Sequence, residues 1–431
     1  MISVRTFACT WLCLFAAPTH ANEPLGEWSL LSRNFMLDSD LRNTQPGAPG
    51  RRREWAQGFI ASLSSAYTPG TLGLGVDLHG FVGIKLDGGR GHAGVGLLPV
   101  DSDGRAESEY SDAGGALKLK VGSTIVRYGE MQVETPVFDT GDKRLQPEHA
   151  TGWFLDSALS SDWKLQAGRF TAFKNQAGSS SHEDFEGYGA TTEHNAISLA
   201  GLLYKTRRED FNWGASVFGE QLEDVWQQSY LNLNASTDVL SVDGNLYKVR
   251  DLGQAKAGKI DTLAYSILAS LRITSHTLSL GYQKIEGSTP FDFVGGDSIY
   301  LANSIKFADF NGPGEQSWQA RYQWDAAAAG IPGLTFSTRY VTGKGIDGTH
   351  APGGGAYNLF DPDTGGFVPA QGDGGKHWER DIDLRYIVQG GPAKGLSVAL
   401  SHVSHRANES QAGPDLDRVY VVIEWPLEGT F

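Results

Sequence analysis

The chain has 431 residues, of which 36 are basic and 50 are acidic, so its formal net charge at pH 7 is −14. This charge excludes nucleic acid as an expected partner, because phosphate backbones are bound by basic surfaces. The mean hydropathy of −0.29 is that of a soluble protein. A transmembrane β-barrel has a similar average, however, because only alternate residues of its strands face lipid.

The first residues have the pattern of a secretory signal. Arg5 is followed by an apolar run over residues 7–17 and then by the small residue Ala21, the usual order of such leaders. The run is too short to span a bilayer, and no later stretch approaches the roughly 18 to 20 apolar residues of a membrane helix. We therefore predict a leader over residues 1–21 and a single β-barrel domain over residues 22–431, since a membrane protein without such helices must cross as a barrel.

Apolar and polar residues alternate along most of the mature chain, which is typical of β-strands with one apolar face. Clusters of Gly, Asp, Asn and Pro separate these segments and predict turns. The longest predicted loop runs from Thr342 to His377. With about 20 to 25 residues for each strand and its connection, the mature length gives roughly 16 to 18 strands, as in a large barrel. A soluble protein with several sheets is the alternative. The clearest alternating segments are 72–79, 116–121, 265–272, 278–283, 318–325 and 381–389.

The last stretch, residues 418–431, also alternates. Apolar side chains occupy one face of an extended strand from Val419 to Trp425, and the chain ends on Phe431. A terminal strand of this kind resembles that of bacterial outer-membrane barrels, whose final aromatic residue is read by the barrel-assembly machinery. We therefore expect two partners, outer-membrane lipid and, through Phe431, this machinery.

Several blocks along the chain carry a family pattern. They include Arg53-Glu54-Trp55-Ala56-Gln57-Gly58-Phe59, Tyr67-Thr68-Pro69-Gly70-Thr71, Asp309-Phe310-Asn311-Gly312-Pro313-Gly314-Glu315, Gly333-Leu334-Thr335-Phe336 and Gly391-Pro392-Ala393-Lys394. In content and order they resemble the OprD family of substrate-specific outer-membrane porins, from about Arg33 to the end of the chain.

The resemblance implies an all-β fold, an antiparallel barrel of about 18 strands that is narrowed by an inward-folded loop over residues 133–147. It implies diffusion of small carboxylate-bearing solutes along a column of arginines and lysines. Blocks such as Gly129-Glu130-Met131-Gln132 resemble most the branch that takes basic amino acids or small peptides and admits carbapenem-like antibiotics. A channel for other, often cyclic, carboxylates or a weakly selective porin is the alternative. The family also allows a homotrimer.

Basic residues on the polar register of predicted strands are candidate groups for binding a carboxylate. Arginine suits this task because its planar fork can donate two hydrogen bonds. For each candidate, the alternative is a wall charge that pairs with a neighbouring carboxylate. The candidates are Arg321, Arg339 and Arg385, then Lys118 and Lys120 on one face, and Arg52 or Arg53, whose register is left open by three adjacent arginines.

Three acidic residues lie in the loop that is predicted to fold inward. Glu134, Asp139 and Asp142 could meet an ammonium or guanidinium group across from the arginines. The alternative is that they pair with Lys143, Arg144 or the wall and hold the loop down.

The sequence departs from the family pattern at four positions where the resemblance implies basic residues. These positions are Ser39, Ala399, Ser401 and Tyr420. The basic column would then be thinned on one side of the pore. This predicts lower selectivity, or a preference for solutes with more positive charge.

An outer-membrane enzyme that uses the barrel as a scaffold is the alternative from another class. The sequence has no Gly-x-Ser-x-Gly nucleophile elbow. His402 and His405 fall on opposite faces of a predicted strand, so they cannot share a metal ion. We expect no catalytic residue, metal or cofactor.

Overall fold

The structure is a computed structural model that describes residues 24–44, 49–89, 91–190 and 192–431. The predicted leader lies outside these residues. Helical structure in the described part consists of two 3-10 turns, Ala326–Ala329 and Glu409–Gln411. No described helix has the length and apolarity that a membrane crossing requires.

The described chain consists mainly of antiparallel β-strands. In chain order they are β1 Gly26–Leu41, β2 Arg51–Ser65, β3 Leu72–Asp87, β4 Glu109–Val121, β5 Thr124–Met131, β6 Glu134–Thr135, β7 Phe138–Asp139, β8 His149–Ala158, β9 Trp163–Lys174, β10 Ile197–Arg207, β11 Asn212–Leu222, β12 Trp226–Ser236, β13 Leu240–Asp251, β14 Asp261–Ile273, β15 His276–Glu286, β16 Gln316–Asp325, β17 Leu334–Asp347, β18 Asn358–Asp361, β19 Gly366–Pro369, β20 Asp373–Ile387, β21 Ser397–Ala407 and β22 Leu416–Thr430.

One closed sheet of 18 strands forms a barrel, and β6–β7 and β18–β19 form two separate hairpins. Each wall strand pairs with the next wall strand along the chain. β22 then returns to β1, from Glu27 opposite Thr430 to Leu41 opposite Leu416. The predicted antiparallel barrel is confirmed, and its closure leaves no unpaired edge in this sheet.

The two faces of the wall differ in polarity, as the alternation predicts. Leu74, Leu78 and Leu117 are 55%, 50% and 64% exposed on the outer face. At alternate positions Asp77 and Lys118 point inward, where they form an ion pair of 2.7 Å. Apolar side chains therefore face lipid, and polar ones face the lumen.

Aromatic side chains form belts at both ends of the outer wall. At one end the rings of Trp163 and Trp213 each lie 4.7 Å from the ring of Tyr204. Toward the other end, the ring centroids of Tyr282 and Trp318 are 4.7 Å apart. Such belts mark the two membrane interfaces of a transmembrane barrel.

The connections at the two ends of the barrel differ in length. Tight turns such as 122–123 and 274–275 lie at one end, and long loops such as 287–315 and 348–372 lie at the other. Transmembrane barrels place short turns in the periplasm and long loops outside the cell. We orient this barrel accordingly.

The loop predicted from Thr342 to His377 is shorter in the structure, because β17 and β20 extend into it. Gly345 suggests a loop in the sequence, but the strand accommodates it where the register shifts, with a φ of 80°. Glycine adopts this conformation without strain, and such bulges are compatible with a continuous sheet.

Candidate transport pore

The loop between β5 and β8, residues 132–148, folds into the barrel and is named the constriction loop. Its hairpin places Phe138, which is fully buried, with its ring 5.2 Å from that of Phe170 and 5.7 Å from that of Phe185. Apolar packing against the wall strand β9 and against the connection that follows it therefore fixes the first half of the loop. The inward-folded loop predicted over residues 133–147 is confirmed.

An ion-pair cluster fixes the far side of the constriction loop. Arg33 in β1 donates to both carboxylate oxygens of Asp142, at 2.6 and 3.0 Å, and to the carbonyl of Arg144 at 2.8 Å. Its Nε also donates to Glu424 in β22 at 2.7 Å. Beside this cluster, Leu145 packs so closely on Gly58 that an added Cβ would lie 3.2 Å from it. The loop thus crosses the lumen from β5 to the β1–β2 wall.

A second inward-folded loop, residues 287–315, was not predicted and is named the second loop. Ala302 N–H donates to Ser266 Oγ at 3.0 Å. The backbone N–H groups of Phe307 and Ala308 donate to the fully buried carboxylate of Glu379, at 3.0 and 2.7 Å. Wall side chains therefore hold this loop by its backbone.

The two loops are joined inside the barrel. Asp139 N–H donates to Ser298 Oγ at 2.7 Å, and the hydroxyl of Tyr300 donates to Asp139 Oδ2 at 2.6 Å. Lys143 forms an ion pair with Asp297. Burial raises the pKa of Asp139 to about 7, although the hydrogen bond from Tyr300 opposes this shift. The loops therefore restrict the lumen together.

A cavity of about 420 Å³ lies where both loops face the wall. Five of its lining side chains are basic and two are acidic, although the whole chain is acidic. It would therefore favour anionic groups. The lining residues are Arg33, Phe35, Asp142, Lys143, Arg144, Ser304, Ile305, Lys306, Arg339, Ala399, Ser401, Tyr420, Val422 and Glu424.

The three arginines predicted on the polar register point inward from β16, β17 and β20, and Arg385 lies four residues along β20 from Asp381, which is opposite Arg339. Arg321 is directly opposite Arg339 across the β16–β17 pair. Arg339 Nε donates to the fully buried Asp381 at 2.7 Å, whereas Arg321 and the exposed Arg385 have no ion pair within the described chain. Like charges opposite each other destabilise a sheet, so this pair would gain from a bound anion.

The two predicted lysines point into the lumen nearer the short turns. Lys118 is 5% exposed and is held by Asp77 at 2.7 Å and by Ser64 Oγ at 2.6 Å. Lys120 is exposed, with its ammonium 5.3 Å from the ring centroid of Tyr67. Lys118 is thus a paired wall charge, and Lys120 is the more accessible of the two.

The structure decides which arginine before Glu54 faces the lumen. Arg52 points inward, and its Nη1 lies 3.4 Å from the carbonyl of Gly94. Arg53 shares the outward register of Trp55 and pairs with Asp87 at 3.4 Å. The prediction of Arg53 as a pore residue is corrected, because one step along a strand reverses the face.

Among the predicted loop acids, Asp142 pairs with the wall, Asp139 joins the two loops, and Glu134 is exposed. The alternative reading, in which acids hold the loop down, therefore describes Asp142. Glu134 stays available for a solute.

Two cations that the sequence did not predict as pore residues partly replace the basic charges expected at Ser39, Ala399, Ser401 and Tyr420. Lys306, from the second loop, pairs with Asp383 at 3.1 Å, and Ser401 Oγ donates to the same carboxylate. Arg418 Nε donates to Ser39 Oγ at 2.7 Å. No local pattern marks Lys306, because a single lysine in a loop carries no register.

A closed barrel with an apolar outer face, two aromatic belts and a charged, constricted lumen defines an outer-membrane channel protein. A family model described as "outer membrane porin, OprD family" matches residues 26–429, and the chain belongs to this family. The bacterial outer membrane is therefore its location.

Known relatives and solved structures agree with this assignment. The chain is 40% identical over 413 residues to Porin D of Pseudomonas aeruginosa, covering 92% of this chain and 90% of that protein. It is 31% identical over 406 residues to the porin-like protein GalP of Pseudomonas putida, covering 93% of this chain and 91% of that protein. The crystal structure of Pseudomonas aeruginosa OpdK with vanillate matches with a TM-score of 0.82 and 34% identity, covering 94% of this chain and 99% of that chain.

Proposed function

We propose that this porin passes small solutes that carry a carboxylate and a cationic group, such as basic amino acids, small peptides and carbapenem-like antibiotics. The main support is the opposed pair of Arg321 and Arg339, since Arg321 has no acidic partner in the described chain. A solute carboxylate would supply that partner. Arginine binds it through a planar fork of donors.

The acidic groups of the cavity would bind the cationic end of such a solute. The side chains of Asp142 and Glu424 are 44% and 27% exposed although both contact Arg33. Their oxygens can therefore accept further hydrogen bonds from ammonium or guanidinium. Arg385 and Lys120 would continue the path toward the periplasm, as weak sites in series that bind without trapping.

A channel for other carboxylates is the second candidate. Asp139 and Asp142, two of the three predicted loop acids, already have partners within the protein, which reduces the negative charge left for an ammonium. Among the relatives, OpdK has been solved with vanillate. Single-channel current in a planar bilayer separates the candidates, with arginine and benzoate added at equal ionic strength. Blockade by arginine supports the first candidate, and blockade by benzoate alone supports the second.

A double variant tests the arginine path. Arg321→Ala combined with Arg385→Ala should weaken arginine blockade by about tenfold or more, because a hydrogen bond to a charged group contributes about 1.5–3 kcal/mol. The matched control is Arg380→Ala, which removes an arginine of the same strand from the outward register. Equal blockade in the double variant and the control would refute the role of the arginines.

The predicted assembly partners stay proposals. Phe431 packs on β1, where a Cβ added to Gly26 would lie 2.6 Å from its ring, and is 48% exposed. We infer that the assembly machinery reads this exposed ring, and that Phe431→Ala slows insertion into proteoliposomes that contain the machinery. Cross-linking in native membranes would test the homotrimer.

The relatives are porins, which supports a channel over an enzyme built on the barrel. Labelling of the folded protein by a serine-reactive probe would favour the enzyme instead.

A further inference from the structure

Three potential metal ligands lie close together on the inner wall where the constriction loop leaves it. His79 in β3, Glu130 in β5 and His149 in β8 each offer a ligand atom, and these atoms lie within 4.8 Å of one another. His79 Nε2 is 3.3 Å from Glu130 Oε1. The two imidazole rings stack with centroids 3.9 Å apart and an interplanar angle of 14°, so one ring must turn for both nitrogens to face one ion. No local sequence pattern marks this cluster, because its members come from three different strands.

Packing alone does not explain why the imidazole of His149 is buried with an unpartnered nitrogen. The residue is 6% exposed, and its Nδ1 is buried with no hydrogen-bond partner in the described part of the chain. A buried polar group without a partner costs free energy, and native proteins rarely leave one. An unpartnered imidazole nitrogen beside a second imidazole and a carboxylate therefore points to a ligand.

We propose that His79, Glu130 and His149 bind a transition-metal dication of the Zn²⁺ type. Two imidazoles and one carboxylate are a donor set that zinc accepts, with a fourth position open to water. Cu²⁺ and Ni²⁺ accept similar ligands, whereas Mg²⁺ and Ca²⁺ prefer oxygen donors. The donor set thus defines the class of ion.

Gly114 lets two of these ligands lie close to the β4 backbone and to each other. A Cβ added to Gly114 would lie 2.4 Å from Glu130 Oε2 and 2.8 Å from His79 Nε2. Any larger residue at position 114 would therefore occupy the space between these two ligands.

The local charge balance also favours a cation. Asp112 and Glu130 supply two negative charges, and the buried Lys174 pairs with both of them, at 3.2 Å for Glu130. One negative charge is left over when the imidazole of His79, which also lies 3.3 Å from Glu130, is in the neutral form that binds a metal. Lys174 competes with a metal for Glu130, so metal affinity should rise when this ammonium is removed.

The position of the site gives the metal a role in the channel. Glu130 and His149 lie on either side of the constriction loop, on the last residues of β5 and the first residue of β8. One ion bound to both would join the two ends of the loop and reduce its motion. This effect does not depend on which solute the pore carries.

The test is titration of the refolded, EDTA-treated protein with ZnCl₂, measured by calorimetry in detergent and by single-channel current. We expect one Zn²⁺ per chain and quieter open-channel current. His149→Gln should weaken binding by at least about 100-fold, since loss of even a positioning partner of a ligand costs about 10–100-fold. Lys174→Gln should tighten binding.

The control is His182→Gln, which removes an exposed histidine from another loop. It should leave Zn²⁺ affinity unchanged. A heat-modifiable gel shift shows that each variant is folded, so a lost site is distinguished from a lost barrel. Absence of binding to the wild-type protein, or binding that His149→Gln and His182→Gln alter equally, would overturn the proposal.

Discussion

The attachment of the constriction loop to β1 gives the sharpest prediction. Arg33 is 5% exposed and donates to both oxygens of Asp142. In Asp142→Asn the side chain keeps its size, but the charge is lost and one oxygen becomes a donor that faces the guanidinium. The loop should then leave the wall more often.

The magnitude follows from the geometry of this contact. A hydrogen bond to a charged group contributes about 1.5–3 kcal/mol, and the 44% exposure of the Asp142 side chain places the loss near the lower limit. Because about 1.4 kcal/mol corresponds to a factor of ten, the population of the detached loop should rise roughly tenfold. Arg33 keeps Glu424 as a partner, so the barrel itself should stay folded.

Single-channel recording measures this change as the frequency and dwell time of higher-conductance states. The control is Asp417→Asn, which alters an acid that pairs with Arg406 at 2.8 Å on the outward register. Current fluctuations that are the same in Asp142→Asn, Asp417→Asn and the wild-type protein would refute this role of Asp142.

Three further predictions concern other parts of the barrel. The raised pKa of Asp139, about 7, means that the folded loop prefers the protonated acid. The loop's stability should therefore be greatest below the pKa of a free Asp, about 4, and be lost as the pH rises through about 7. Open-channel noise should increase over this range, and Asp139→Asn should remove the dependence. Lys306→Gln removes a cation that lies 3.1 Å from Asp383. Its loss should raise the selectivity of the pore for cations over anions by about two- to fivefold, as expected for unit charges near contact in a water-like dielectric. The reversal potential in a KCl gradient measures this selectivity. Leu280→Arg places a charge on a lipid-facing side chain that is 69% exposed, so urea titration in lipid vesicles should show a loss of about 2–4 kcal/mol. An unchanged unfolding midpoint would place Leu280 away from lipid.

The wall of the barrel could be predicted from the sequence because its rule is local. A period of two assigns each side chain to a face, and it correctly placed Leu278 outward and Lys118 inward. The same rule could not choose between Arg52 and Arg53, because three adjacent arginines carry no alternation. Only pairing with β1, where Asp38 lies opposite Arg53, fixes that register.

The inside of the pore could be predicted only in part, because it depends on contacts between distant segments. The second loop is held by Glu379 and Ser266, whose partners lie 72 and 36 residues away in sequence. Nothing in the local pattern distinguishes such a loop from one that extends into solvent. Arg33 was missed for a similar reason, since its role depends on Asp142 and Glu424.

The pairing of β1 with β22 begins at Glu27 opposite Thr430 and includes Arg33 and Glu424, which are separated by 391 positions. All other wall pairings join strands that follow each other along the chain, so they can form as soon as both strands are available. Before the seam closes, the growing sheet has two open edges that could pair with another chain. Long-range pairing of this kind slows folding more than it lowers stability. Closure of the seam is therefore the pairing that removes both open edges at once, and until it forms the sheet can pair with another chain.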